Sequence, residues 1–185
     1  HNSQFGLLGL LGLTETFMSN DIPTSHLEII GYHFEERRRI NAQGGGIGVY
    51  VNQDLKYTWR NDLEIENIEC LFFEISFPYS KSFIAGVMYW PPDSSLHLSK
   101  YFNSSLDKIV SSLNQEVIIL GDLNCNYLVK NDHKELKEIF VRNGYKQIIQ
   151  QPTRITPSSS TLIDVIQTTH ESNISHCQTI PASLS

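Results

Sequence analysis

The residues best suited to chemistry in this 185-residue chain are oxygen-bearing side chains that follow short apolar runs. In Ile118-Ile119-Leu120-Gly121-Asp122-Leu123-Asn124, a hydrophobic run stops at glycine and then presents a carboxylate and a carboxamide two residues apart. An Asp there can draw a proton from water, and an Asn can fix that water or a phosphate oxygen through its amide. Strand ends are where active sites collect. An Asx turn that merely closes the strand is the plainer alternative, and for an Asp-x-Asn pair by itself the commoner one. Glu15, inside Leu13-Thr14-Glu15-Thr16, also ends an apolar run, and a carboxylate there suits a hard cation such as Mg²⁺. A helix cap or a solvated turn would use the same residue. Tyr89 opens Tyr89-Trp90-Pro91-Pro92, either as a phenol that donates to phosphate or as part of a packed, rigid turn. Asp164 lies between Ile163 and Val165 in an apolar stretch, where an unpaired buried carboxylate is costly, so a cationic, hydroxyl or histidine partner is expected.

The cluster Gly44-Gly45-Gly46-Ile47-Gly48 does not fit a nucleotide-phosphate loop. Such a loop follows a strand and opens a helix whose amides meet phosphate. Here strand-like residues come next, and there is no Gly-Lys-Ser/Thr ending. A tight turn with positive φ angles is expected instead. Cys70, Cys125 and Cys177 are odd in number and widely spaced, which excludes a disulfide framework and a zinc ribbon.

Positioning these groups takes an alternation of strands and helices. Residues 7–14 read as a buried strand running into a polar turn, and 17–43 as irregular apart from a short apolar piece at 27–30. Residues 47–51, 56–60, 68–77 and 82–89 read as strands rich in β-branched or aromatic residues. Leu98, Phe102, Leu106, Ile109, Val110 and Leu113 recur at three and four, one face of a helix, with Asp93, Ser94 or Ser95 available to cap it. Residues 117–120 form a strand apolar enough to be buried on both faces, stopping at Gly121. A second helix fits 133–143, with Leu136, Ile139 and Phe140 inward and Gly144 as its terminator. Residues 148–149, 162–168 and 177–180 are the remaining expected strands. Many strands with few interposed helices predict an α/β sandwich of sheets with helices outside.

One domain is what 185 residues suggest, and 40% hydrophobic with 18% charged residues supplies a core rather than a disordered chain. Fourteen Lys+Arg against twenty Asp+Glu give a net charge of −6, which lacks the basic face of a protein that holds nucleic acid by bulk charge. A divalent cation placed between the protein's carboxylates and a phosphate supplies the missing positive charge. The longest apolar run, residues 5–13, is too short to span a bilayer and lacks the flanks of a signal peptide. An intracellular chain with no membrane partner is therefore expected.

Six motifs occur in order along the chain: Leu13-Thr14-Glu15-Thr16, Gly45-Gly46-Ile47-Gly48-Val49, Tyr89-Trp90-Pro91-Pro92, Gly121-Asp122-Leu123-Asn124, Gln151-Pro152-Thr153-Arg154 and Ser160-Thr161-Leu162-Ile163-Asp164-Val165. Together they resemble the endonuclease/exonuclease/phosphatase superfamily, most closely the apurinic-endonuclease-like domain of non-LTR retrotransposons. The resemblance implies a four-layer α/β sandwich, two packed mixed β-sheets flanked by helices, that cleaves phosphodiester bonds in DNA with Mg²⁺ or Mn²⁺. It implies that Glu15 binds the metal, that Asp122 orients or deprotonates the attacking water, and that Asn124 positions that water or the scissile phosphate. It further implies that Tyr89 contacts a phosphate oxygen, that Asp164 orients a catalytic histidine, and that Thr153 and Arg154 contact substrate.

Members of that superfamily begin with a strand ending in a metal-site Asn and close with a Ser-Asp-His segment. Too few residues precede Glu15 for the first, and the sequence stops at Ser185, where the second would begin. The resemblance thus implies a fragment of a longer polyprotein, incomplete at both termini and weak or inactive alone, with a reverse-transcriptase region elsewhere. A DNA target implies access to the nucleus. Neither His170 nor His176 has the motif context to replace the absent histidine beside Asp164. The alternatives are a phosphatase of the same superfamily acting on a phosphorylated lipid or sugar, and a non-enzymatic remnant. The Gln-Pro-Thr-Arg and Tyr-x-Pro-Pro settings favour the nuclease.

Overall fold

A computed structural model describes residues 9–18, 21–39, 44–92 and 96–180, without the side chains of 96–100, 112 and 113. Strands β1 (Leu10–Thr14), β2 (Tyr32–Arg37) and β3 (Ile47–Asn52) form an antiparallel sheet in the order β1-β3-β2. Next come β4 (Lys56–Trp59), β5 (Glu69–Ser76), β6 (Phe83–Tyr89), helix α1 (Leu96–Leu113), β7 (Glu116–Asp122), helix α2 (Lys134–Arg142) and β8 (Lys146–Gln147). The two-residue strands β9 (Arg154–Ile155) and β10 (Ser160–Thr161) form a hairpin, and β11 (Asp164–Thr168) follows it. A second, mixed sheet has the order β4-β5-β6-β7-β11-β8. In it β6 and β7 run parallel, with α1 as the crossover between them.

The period of two along β5, β6 and β7 sorts their side chains between two cores. Leu71, Phe73, Ile75, Ala85 and Val87 meet Ile47, Val49 and Val51 between the sheets. Cys70, Phe72, Ile84, Met88, Val117 and Ile119 face the helices, where Phe102, Leu106 and Ile109 of α1 meet Leu136, Ile139 and Phe140 of α2. Both faces of these central strands are therefore covered, which is why they read as near-continuous apolar runs. Gly144, at φ 78°, ends α2 as its position suggests.

Several expectations need correction. The polar stretch 17–43 contains β2, whose charged residues Glu35, Glu36 and Arg37 hide its alternation. As an edge strand it needs only a few packing residues, such as Phe34, whose ring centre lies 4.6 Å from that of Tyr50. Strand β1 is half-buried rather than buried, with Leu11 and Leu13 exposed. Strand pairing occurs at Lys146–Gln147, not 148–149, and residues 177–180 form no strand. The hairpin of β9 and β10 is too short to leave an alternating pattern in the sequence. Its turn is closed by backbone bonds in both directions between Thr156 and Ser159. Residues 7 and 8, the capping candidates Asp93, Ser94 and Ser95, and Ser185 lie outside the described residues, as do the side chains of Leu98 and Leu113.

Candidate active site at the mouth between the two sheets

Strand register assembles the site. Glu69 is the Cα partner of Tyr89 across β5 and β6, Tyr89 of Asp122 across β6 and β7, and Asp122 of Asp164 across β7 and β11. Paired residues point to the same side of a sheet. Tyr89 belongs to the core between the sheets, so this row of four faces that space at its open end. The opposite sheet contributes Glu15, which leaves β1 directly and accepts a hydrogen bond from the Tyr89 hydroxyl at 2.7 Å.

The strand does not stop at Gly121, as expected, but carries Asp122 as its last residue. Gly121 has φ 144°, and a Cβ there would stand 1.8 Å from the Met88 carbonyl oxygen. Only glycine lets β7 approach β6 this closely. Asp122 Oδ1 accepts the Asn124 amide at 2.8 Å, so the Asx turn is real and also holds the carboxylate in place. Asn124 has φ 47°, and its Nδ2 donates to the Trp90 carbonyl at 3.1 Å. Glu15 has φ 52°. Left-handed backbone at non-glycine residues costs on the order of 1–3 kcal/mol and gathers at functional sites.

Asp122 is buried, and burial pushes its carboxyl up to about 6. The carboxylates of Asp164 and Glu15 push in the same direction, while the Asn124 amide and Arg154 oppose the rise. Tyr89 is likewise raised, first by burial and then by its hydrogen bond to Glu15, so the phenol keeps its proton. The donors are of the kind a hard divalent cation takes, although Glu15, Asp122 and Asp164 do not bring their ligand atoms within 4.8 Å of one another, so an ion would have to draw them in. They are oxygen atoms, and the repulsion among the three carboxylates is what such an ion would relieve.

The other candidates divide. Trp90 is buried against Phe102, whose ring packs on Phe140, so the aromatic turn is structural at Trp90, while the Tyr89 hydroxyl reaches Glu15. Thr153, expected to touch substrate, accepts the amides of Ile163 at 3.2 Å and Asp164 at 3.1 Å through its Oγ1 and pins the start of β11. Arg154 is exposed on the hairpin, near enough to Asp122 for its charge to be felt. Asp164 was expected to be buried and in need of a partner. It is partly exposed at the end of the sheet, where water can solvate it.

Sequence reasoning passed over Glu69 and Arg39. Glu69 Oε1 accepts Arg39 Nε at 2.7 Å, and its Oε2 accepts the Gly46 amide at 2.6 Å. The available signal was a charge in the inward phase of a strand, two residues before the buried Leu71. A separate group, Cys125, Asp132 and His133, holds its potential ligand atoms within 4.8 Å of one another. Its atoms are engaged in closing a loop. Asp132 accepts the Asn126 amide at 2.5 Å and pairs with His133 Nδ1 at 2.9 Å, while burial pushes the Cys125 thiol up to about 12.

A family model described as endonuclease-reverse transcriptase matches residues 83–185, more than half of the chain. No curated protein matches it in sequence. Among solved structures, it is similar to the endonuclease domain of TRAS1, a telomere-specific non-LTR retrotransposon, at 15% identity and a TM-score of 0.60 over 75% of this chain. The chain spans 65% of the length of that domain. It is also similar to the human nocturnin catalytic domain, at 13% identity and a TM-score of 0.63, covering 87% of this chain and 69% of the other. A mannosyl-6-phosphatase of Bacteroides thetaiotaomicron gives 12% identity and a TM-score of 0.59, covering 86% and 70%. At such identities the likeness concerns the fold, which all three share with this chain. Among the described residues no helix is long and apolar enough to cross a membrane. Both the sequence match and the shared architecture converge on one assignment: the chain belongs to the endonuclease-reverse transcriptase family, built on the endonuclease/exonuclease/phosphatase fold.

Proposed function

We propose that the chain is a divalent-metal-dependent phosphodiesterase that nicks DNA, the endonuclease segment of a retroelement polyprotein that also carries a reverse transcriptase and works on nuclear DNA. The observation that carries this reading is the convergence of Glu15, Tyr89, Asp122 and Asp164 at one mouth, with the Asp122 carboxyl raised to about 6. A base with such a pKa is ionised at neutral pH yet still basic enough to accept a proton from an attacking water. Mg²⁺ or Mn²⁺, held by Glu15, would supply positive charge to a phosphate that becomes more anionic as it is attacked.

The protein's own groups do the rest. Asp122 receives the proton of the water at its carboxylate, and the Asn124 amide anchors the turn that aims that carboxylate. The protonated Tyr89 hydroxyl donates to Glu15 and keeps it in place; turned to the substrate, the same proton would serve a phosphate oxygen. Arg154, exposed at the rim, meets the DNA backbone with its forked donors. Thr153 acts through the backbone of Asp164. The deciding assay uses supercoiled plasmid with protein in molar excess and Mg²⁺. Open circles should accumulate, and should vanish on chelation and in Asp122→Ala. Intact plasmid together with phosphate released from an inositol or sugar phosphate would instead identify a phosphatase, and neither product, even from a chain lengthened at both ends, would leave a non-enzymatic role.

A further inference from the structure

We infer that Glu69 is a positioning residue for Glu15, acting through the glycine turn before β3; this rests on the proposed role of Glu15 as a metal ligand. The observation is a closed ring of contacts across the two sheets. Glu69 Oε2 takes the Gly46 amide at 2.6 Å. The Gly46 carbonyl takes the Thr16 amide at 3.3 Å and the Gly45 carbonyl takes the Phe17 amide at 3.0 Å, so the two residues after Glu15 are both tied to the turn that Glu69 grips. Glu15 in turn accepts the Tyr89 hydroxyl, and Tyr89 is the register partner of Glu69. The ring holds Glu15 at φ 52°, a conformation an untethered glutamate would leave.

The turn is shaped for this grip. A Cβ on Gly45 would stand 2.5 Å from the Arg39 guanidinium carbon, and one on Gly46 2.7 Å from Thr16 Oγ1. Both glycines also have positive φ, 75° and 89°. Arg39 solves an electrostatic problem. A bare Glu69 would add a fourth negative charge beside Glu15, Asp122 and Asp164. Arg39 donates to Glu69 through both Nε and Nη2, so the anchor is neutralised and acts mechanically.

The test is Mn²⁺ binding to the 185-residue chain by calorimetry, which does not depend on turnover. Glu69→Met keeps the reach and removes the acceptor. It should weaken Mn²⁺ about 10-fold or more, the usual cost of losing an outer partner of a metal ligand. Glu69→Gln keeps one oxygen, which the Gly46 amide and Arg39 must share, and should lose about threefold, less than Glu69→Met. Because the effect runs through Glu15, the double variant Glu15→Gln/Glu69→Met should bind no more weakly than Glu15→Gln alone. Additive losses, or a Glu69→Met chain that binds like wild type, would overturn the inference while leaving the metal reading intact. A Glu15→Gln chain that binds Mn²⁺ as wild type does would sink both. Should Glu69→Met fail to fold, amide exchange of Gly46 in the wild-type chain decides. Protection that deepens with Mn²⁺ supports the ring, and a freely exchanging amide refutes it.

Discussion

The six-stranded sheet carries a polar cluster at each end of its central strands, and carboxylates in the two clusters shift in opposite directions. At one end Glu74 accepts Ser82 Oγ at 2.7 Å, Gln115 Nε2 at 3.1 Å and Arg60 Nη1 at 3.0 Å. The Ser82 bond, then Gln115 and Arg60, hold its carboxyl below the usual range. At the other end Asp122 is buried with one amide donor and two carboxylate neighbours, and its carboxyl is pushed up. A carboxylate with enough donors consolidates a fold. One that is buried, under-supplied and crowded by like charge is unstable where it stands, and such groups mark sites of chemistry.

Replacing each acid by its amide should widen that contrast. Asp122→Asn should lower plasmid nicking by roughly 10²–10⁴, the usual contribution of a positioned base. Glu74→Gln should leave the nicking rate near that of wild type, and an equal loss from both would erase the distinction. Wild-type nicking should rise with pH through about 6 as Asp122 loses its proton.

Stability should move the other way. The folded-state pKa of Asp122 lies above its ordinary 3.8, so the carboxyl favours folding fully below that value and loses its advantage as pH rises through about 6. Asp122→Asn should therefore be more stable than wild type at pH 7.5, by at most about 3 kcal/mol, with the gap closing toward pH 4. Glu74 is depressed, so its contribution is present above its unfolded pKa and fades as pH falls through the folded one. Glu74→Gln should cost roughly 1–2 kcal/mol at pH 7.5 and less in acid. Urea unfolding at the two pH values measures all four quantities. The smallest expected effect is at the rim: Arg154→Gln should lower the salt slope of DNA binding by about one. It should also move the pH midpoint of nicking upward, because Arg154 opposes the rise at Asp122.

Much of the architecture was legible because its cause is local. The apolar runs of β6 and β7 and the three-four spacing of Phe102, Leu106 and Ile109 report burial directly. Glu15, Tyr89, Asp122 and Asp164 stood out as polar groups at strand boundaries, and the structure brings them to one mouth. Strand β2 was illegible because an edge strand with one packed face tolerates Glu35, Glu36 and Arg37. Glu69 was passed over because its partners, Gly46 and Arg39, lie 23 and 30 residues away and share no pattern with it. Thr153 was visible as a motif residue, but its role of bonding two amides of β11 was not.

By itself, then, the sequence determined which segments become strands and helices wherever one face must leave water, and the order of its motifs. The register that sets Asp164, Asp122, Tyr89 and Glu69 side by side was decided by tertiary structure, as were the left-handed backbone of Glu15 and the direction in which Asp122 titrates. The reason is physical. Side-chain periodicity is a property of neighbours along the chain, whereas desolvation and Coulomb repulsion act through space between groups that the chain separates by as many as 149 residues, and these exist only once the two sheets have closed on each other.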